Sequence, residues 1–106
     1  MTSDRRTLNS VVRRIVDAAH PLKIVLFGSA ARGEAGPESD LDVLVVMPDG
    51  VHRRHTAQRL YRHMRGLGRP VDILVATRTD LEEHADNPGL IYSTVLKEGK
   101  VVYAAG

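Results

Sequence analysis

Residues Gly28–Val46 read GSAARGEAGPESDLDVLVV, and the rest of the chain is organised around this stretch. It joins a Gly28–Ser29 pair, a polar turn rich in Gly and Pro, and an Asp40-x-Asp42 pair that runs into an apolar segment. Ten residues, Ala30 to Ser39, separate Ser29 from Asp40. Just upstream, Leu22–Phe27 (LKIVLF) is short, apolar and partly β-branched, and it stops at Gly28. That is the pattern of a buried strand. Ser29–Arg32 reads as the first turn of a short helix stopped by Gly33, and Glu34–Ser39 as a turn. Leu41–Met47 reads as a second strand, ended by Pro48-Asp49-Gly50.

Working outward, Leu8, Val11, Val12, Ile15, Val16 and Ala19 form one apolar stripe at helical spacing. Ser3 or Asp4 is placed to cap that helix, and His20-Pro21 ends it. Val51–Leu67 predicts a second long helix, with Ala57, Leu60, Tyr61, Met64 and Leu67 on its core face and Gly66 and Gly68 closing it. Val71–Ala76 (VDILVA) predicts a third strand, and its apolar flanks place it centrally in the sheet. Thr77 or Thr79 caps a helix around Asp80–Ala85, Asn87-Pro88-Gly89 breaks it, Leu90–Lys97 is a further short helix, and Lys100–Ala104 a closing strand. Strands alternating with helices over residues 1–106 give one α/β (α+β) domain: a small mixed sheet with helices on one or both faces.

Composition narrows the function classes. The chain has 106 residues, a size that suits one core. It has no cysteine, hence no disulfide framework and no thiolate metal site. Arg13 and Arg14 interrupt the first apolar stripe, so no signal-peptide core is expected; no run spans a membrane, and a cytoplasmic protein is the default. The net charge of +2 permits nucleic-acid binding without arguing for it. The arginines at 53, 54, 59, 62 and 65 read as a solvated helix face, since no aromatic platform accompanies them, so nucleic acid is not expected as a direct partner. His52 and His55 read as surface residues, and Tyr61, Tyr92 and Tyr103 as core.

The chemistry follows from the carboxylates. Side chains alternate along a strand, so Asp40 and Asp42 share a face while Leu41 and Val43 enter the core. Two carboxylates on one side repel, and burying them is costly until a cation neutralises them. Oxygen ligands without cysteine favour a hard ion, and Mg²⁺ is the usual companion of phosphates. Asp72 opens an otherwise apolar strand; beside Leu41–Met47 it joins Asp40 and Asp42 around the same ions. Three carboxylates around two ions suit in-line phosphoryl transfer, with Asp72 also placed to accept the proton of an attacking hydroxyl. Gly28-Ser29 supplies the phosphate end, because glycine allows close backbone approach and a helix N-terminus favours an anion. Arg32 is placed to pair with phosphate or to steady Asp40. There is no GxxxxGK[ST] loop, and the glycines at 28, 33 and 36 do not fit a dinucleotide fingerprint.

This pattern resembles the nucleotidyltransferases of the DNA polymerase β superfamily, whose signature is Gly-Ser, about ten residues, Asp-x-Asp, and a third Asp on a later strand. Gly28, Ser29, Asp40 and Asp42 match it position for position, and Asp72 matches the third carboxylate by its strand context. The likeness covers roughly Leu22 to Ala76 and looks most like the minimal nucleotidyltransferase (MNT) subgroup, many of whose members are antitoxins paired with a HEPN-domain ribonuclease. It implies a polymerase-β-type fold, Mg²⁺ (two ions with bound nucleotide), ATP as substrate, and transfer of AMP to a tyrosine of a HEPN-type toxin partner. Larger relatives carry a second domain for the acceptor; here the acceptor surface is expected from another chain, with a homo- or hetero-oligomer as the consequence. Two alternatives stay open: an antitoxin or adaptor acting by binding alone, and transfer to a small molecule or an RNA end.

Overall fold

The computed structural model describes residues 2–28, 31, 33, 40–84, 95 and 97–105. In chain order the elements are α1 (Thr2–Ala19), β1 (Lys23–Phe27), β2 (Leu41–Met47), α2 (Arg53–Arg62), β3 (Val71–Thr77), α3 (Arg78–His84) and β4 (Lys100–Ala104). They build a mixed α/β fold on a four-stranded sheet of order β3-β2-β1-β4. β2 and β3 are parallel, joined by the α2 crossover, while β1 pairs antiparallel with both β2 and β4.

The alternation of side chains sorts the core into two faces. Ile24, Leu26, Val43, Val45, Val71, Ile73 and Val75 turn to one face, where Val11 and Ile15 of α1 and Leu60 of α2 cover them. Val25, Leu44, Val46 and Ala76 turn to the other, against Val95, with Leu81 of α3 packed alongside. Helices therefore lie on both faces. Burial on two faces is why β2 and β3 read as continuous apolar runs rather than alternating ones.

Local chemistry sets the boundaries. His20, at φ 50°, ends α1, and its N–H donates to the Val16 carbonyl at 3.0 Å. α2 is shorter than expected, since residues 63–66 form turns before the positive-φ Gly66. The carbonyls beyond its C-terminus are taken by α1: the Arg14 guanidinium donates to the oxygens of His63 (3.1 Å) and Arg65 (2.9 Å). His52 caps the other end, its Nδ1 accepting from the His55 N–H at 3.2 Å, and the two rings stack. At α3 the cap is Thr77: its Oγ1 accepts from Asp80 N–H, while Asp80 accepts from Thr77 N–H, a reciprocal capping box. Thr79 is bound instead to Asp49, through both its N–H and its hydroxyl. Those two hydrogen bonds hold the Asp49 carboxyl below its ordinary value.

Three further expectations fail. α1 begins at Thr2, so Ser3 and Asp4 fall inside its first turn rather than at its cap, a position that also suits an acidic residue. Among the described residues β3 is an edge strand, not a central one. Its apolar flanks reflect burial on both faces, which does not report whether a further strand lies alongside. Tyr61 is 45% exposed rather than core. Its hydroxyl accepts from the Ile73 N–H at 2.9 Å and donates to the Ile73 carbonyl at 3.4 Å, occupying the open edge of β3 where a neighbouring strand would bond. Tyr103 does pack against the core. The Ser29–Arg32 helical turn, the Glu34–Ser39 turn, Tyr92 and most of the Leu90–Lys97 helix lie outside the described residues.

Candidate active site

Register places the carboxylates. Phe27 pairs with Asp42 across β1 and β2, and Asp42 pairs with Asp72 across β2 and β3. Residues paired in register share a face, so Phe27, Asp42 and Asp72 form one row. Two residues further along the same face is the row Val25, Leu44, Leu74. The apolar layer thus ends in acid at one edge of the sheet. The parallel pairing begins there: Leu41 N–H donates to the Pro70 carbonyl at 3.1 Å, just ahead of both aspartates.

Gly28 follows β1 directly, at φ +73°. A Cβ at this position would overlap the Asp42 carboxylate, with the Asp42 Cγ 3.2 Å away. The glycine is required twice, once for its backbone conformation and once for the room its missing side chain leaves to Asp42. Here the sequence pairing of Gly28 with Asp-x-Asp has a direct structural cause.

The electrostatics mark Asp42. Burial, then the neighbouring charge of Asp72, a shared hydrogen bond with Asp72 and the charge of Asp40, push its carboxyl above the ordinary value of 3.8. The folded chain holds this negative charge at a cost that a cation would relieve. Asp42 and Asp72 therefore fit as a two-carboxylate seat for a hard divalent ion. Asp40 stands just before β2 and is exposed. Among the described residues no three His, Cys, Asp or Glu side chains converge into a closed metal site. The seat is open, suited to an ion that keeps other ligands such as phosphate oxygens.

Of the sequence-derived candidates, the fold brings Gly28, Asp42 and Asp72 together, with Asp40 flanking. Ser29 and Arg32 lie outside the described residues. Sequence reading missed the role of Tyr61, because a tyrosine on the apolar side of a helix pattern carries no sign that its hydroxyl bonds the Ile73 backbone at the edge of β3.

Comparison with known proteins bears on the fold and the family. The chain aligns over 97% of its length with a protein from Sulfolobus solfataricus assigned to the nucleotidyltransferases, at 22% identity and a TM-score of 0.65, covering 85% of that chain. It aligns over 92% of its length with a chain of a toxin–antitoxin structure containing AMP-PNP, at 23% identity and a TM-score of 0.63, covering 73% of that chain. At these identities the likeness establishes the fold. No curated protein sequence matches the chain significantly. No described helix is long and apolar enough to cross a membrane. The nucleotidyltransferase domain family matches residues 6–102, from the first turns of α1 to the middle of β4 and across every candidate site residue, and the chain belongs to that family.

Proposed function

We propose that this nucleotidyltransferase is an MNT-type antitoxin that transfers AMP from ATP to a tyrosine hydroxyl of a HEPN-type toxin in the cytoplasm, with Mg²⁺ as the metal. The observation that carries the reading is the in-register Asp42–Asp72 pair set against a side-chain-free Gly28. The toxin partner is supported by the likeness to a toxin–antitoxin chain determined with an ATP analogue.

In this reading Asp40, Asp42 and Asp72 hold the metal, and Gly28, Ser29 and Arg32 hold the triphosphate. Bound divalent ions would offset the charge of the phosphates and of the leaving pyrophosphate. The acceptor oxygen attacks the α-phosphorus in line, the bond to pyrophosphate breaks, and Asp72 accepts the hydroxyl proton. Asp72 suits that role because it lies on the edge strand and is exposed toward an incoming hydroxyl, whereas Asp42 is partly buried. The partner supplies the acceptor side of the site.

The test is transfer of label from α-labelled ATP to a co-encoded HEPN protein in the presence of Mg²⁺. Wild-type chain should label the partner, and Asp42→Asn should lose activity by orders of magnitude. Equal labelling by both proteins, or none by wild type, would sink the reading. If the triple aspartate variant still neutralises the toxin fully, the protein acts by occlusion.

A further inference from the structure

We propose that the cleft between α3 and the far ends of β1 and β4 is a binding site for a small zwitterion with an apolar body, the chemistry of a free α-amino acid such as phenylalanine. The cleft holds about 380 Å³, at the lower end of the range of small-molecule sites. Register builds its floor. Lys23 pairs with Val46 on one side and with Ala104 on the other, so these three stand in one row, on the sheet face that also carries Asp42. Val46 is four residues along β2 from Asp42, about 13 Å at strand spacing. The cleft therefore lies at the opposite end of the sheet from the carboxylate pair, and the proposal does not depend on the transfer reaction. α3 forms the other wall. Leu81 packs toward the cluster that contains Val46, and Arg78 and Glu82, four residues apart, share the cleft side of that helix.

The lining divides by chemistry. Val46 is buried and Leu22 and Leu81 are half-buried, and together they give an apolar surface. The backbone there is already paired: Leu22 N–H donates to the Val46 carbonyl at 2.8 Å, and Ala105 N–H donates to the Leu22 carbonyl at 2.9 Å. Polar recognition falls to three exposed side chains, Lys23, Arg78 and Glu82. None of them makes an ion pair among the described residues. Asp49 acts on Arg78 only through its charge, since Thr79 binds both oxygens of that carboxylate.

Two cations and one acid around an apolar floor select the ligand. A polyphosphate would meet Glu82 as a like charge, and a simple amine would meet Lys23 and Arg78 in the same way. A plain carboxylate pairs with the cations but leaves Glu82 facing an anion. A zwitterion uses all three groups: its carboxylate turns to Lys23 and Arg78, its ammonium to Glu82, and its apolar side chain rests on Leu22, Val46 and Leu81. The volume seats one small molecule rather than a folded partner, whose interface would be far larger.

The experiment is a two-dimensional ¹H–¹⁵N NMR titration of the full chain with three probes: L-phenylalanine, 3-phenylpropionate, which lacks the ammonium, and phenethylamine, which lacks the carboxylate. Phenylalanine should give saturable shifts at the amides of Lys23, Val46, Leu81 and Ala105, with Asp42 and Asp72 unmoved. Each analogue should bind about two- to fivefold more weakly, the scale of one exposed charge pair. Glu82→Gln should weaken phenylalanine to the level of 3-phenylpropionate. Lys23→Gln/Arg78→Gln should weaken both carboxylates by at least about threefold and leave phenethylamine no weaker. All three substituted residues are exposed, so the variants should unfold at the wild-type temperature. Absence of saturable shifts, shifts centred on Asp42 instead, an analogue binding as tightly as phenylalanine, or indifference to the charge variants would each overturn the proposal.

Discussion

Replacing Gly28 by Ala tests the link between backbone and chemistry most directly. Two costs are expected. An L-residue held at φ +73° loses about 1–2 kcal/mol relative to glycine, less about 0.4–1 kcal/mol regained because alanine restricts the unfolded chain. The new Cβ also meets the Asp42 carboxylate, whose Cγ and Cβ lie 3.2 and 3.4 Å from it. Asp42 must then leave its rotamer, at about 0.5–1.5 kcal/mol. The net loss is about 1.8 kcal/mol, or about 7–14 °C in Tm for a domain of this size.

Gly66→Ala is the matched control. Gly66 has nearly the same φ, +78°, and nothing lies within 4 Å of where its Cβ would stand, so it reports the backbone cost alone. Thermal unfolding followed by circular dichroism in EDTA, then with Mg²⁺ and a non-hydrolysable ATP analogue, separates the two costs. Gly28→Ala should be the less stable of the two variants and should lose the ligand-induced rise in Tm, which Gly66→Ala should keep. In the double variant Gly28→Ala/Asp42→Ala the excess cost should disappear, because the two sites are in contact. Equal losses at positions 28 and 66, with no coupling to Asp42, would refute the packing of Gly28 on the carboxylate.

Two further outcomes follow from the site and its edge. The folded-state pKa of Asp42 is raised above its unfolded value of 3.8, so the folded chain binds this proton more tightly. Stability from this group is therefore present at low pH and lost as pH rises through the folded pKa; Asp42→Asn should be more stable than wild type at neutral pH in EDTA and converge with it in acid, as read by Tm against pH. Tyr61→Phe removes both bonds to Ile73 and should cost about 1 kcal/mol while speeding amide exchange at Ile73 in particular. Uniform exchange changes across β2 and β3 would show that the hydroxyl does not secure that edge.

Much of the fold was legible because its signals are local. The apolar stripe of α1, the short β-branched runs and the Gly28 stop each follow from chain geometry within a few residues. The candidate site was legible because Asp42 and Asp72 interrupt apolar runs, and Asp40 stands two residues before Asp42 at the end of a polar turn. What stayed hidden depends on contacts distant in sequence. That β3 is an edge strand follows from pairing order, which an apolar run does not encode. Tyr61 bonds to a strand twelve residues later, and Arg14 caps a helix some fifty residues on; neither leaves a periodic trace. The choice of Thr77 over Thr79 as the α3 cap turned on Asp49, a residue in another loop.

The distribution of charge across the sheet gives the fold its directional logic. Parallel pairing in register fixes Asp42 beside Asp72, and the valine-rich rows behind them, anchored by α1 and α2, hold that register against the repulsion. One residue of slip would turn both aspartates into the helix-covered core and bring Val43 and Ile73 out, so the carboxylate pair is enforced by the burial of its neighbours. Burial of Asp42, and beside it this repulsion, persists in the folded chain as a standing preference for a cation, and together they raise the Asp42 pKa. Its opposite lies beyond the sheet, where Arg54, Arg59 and Arg62 of α2 stand exposed. A sheet four strands wide keeps the two apart, negative charge to one face and positive to the other.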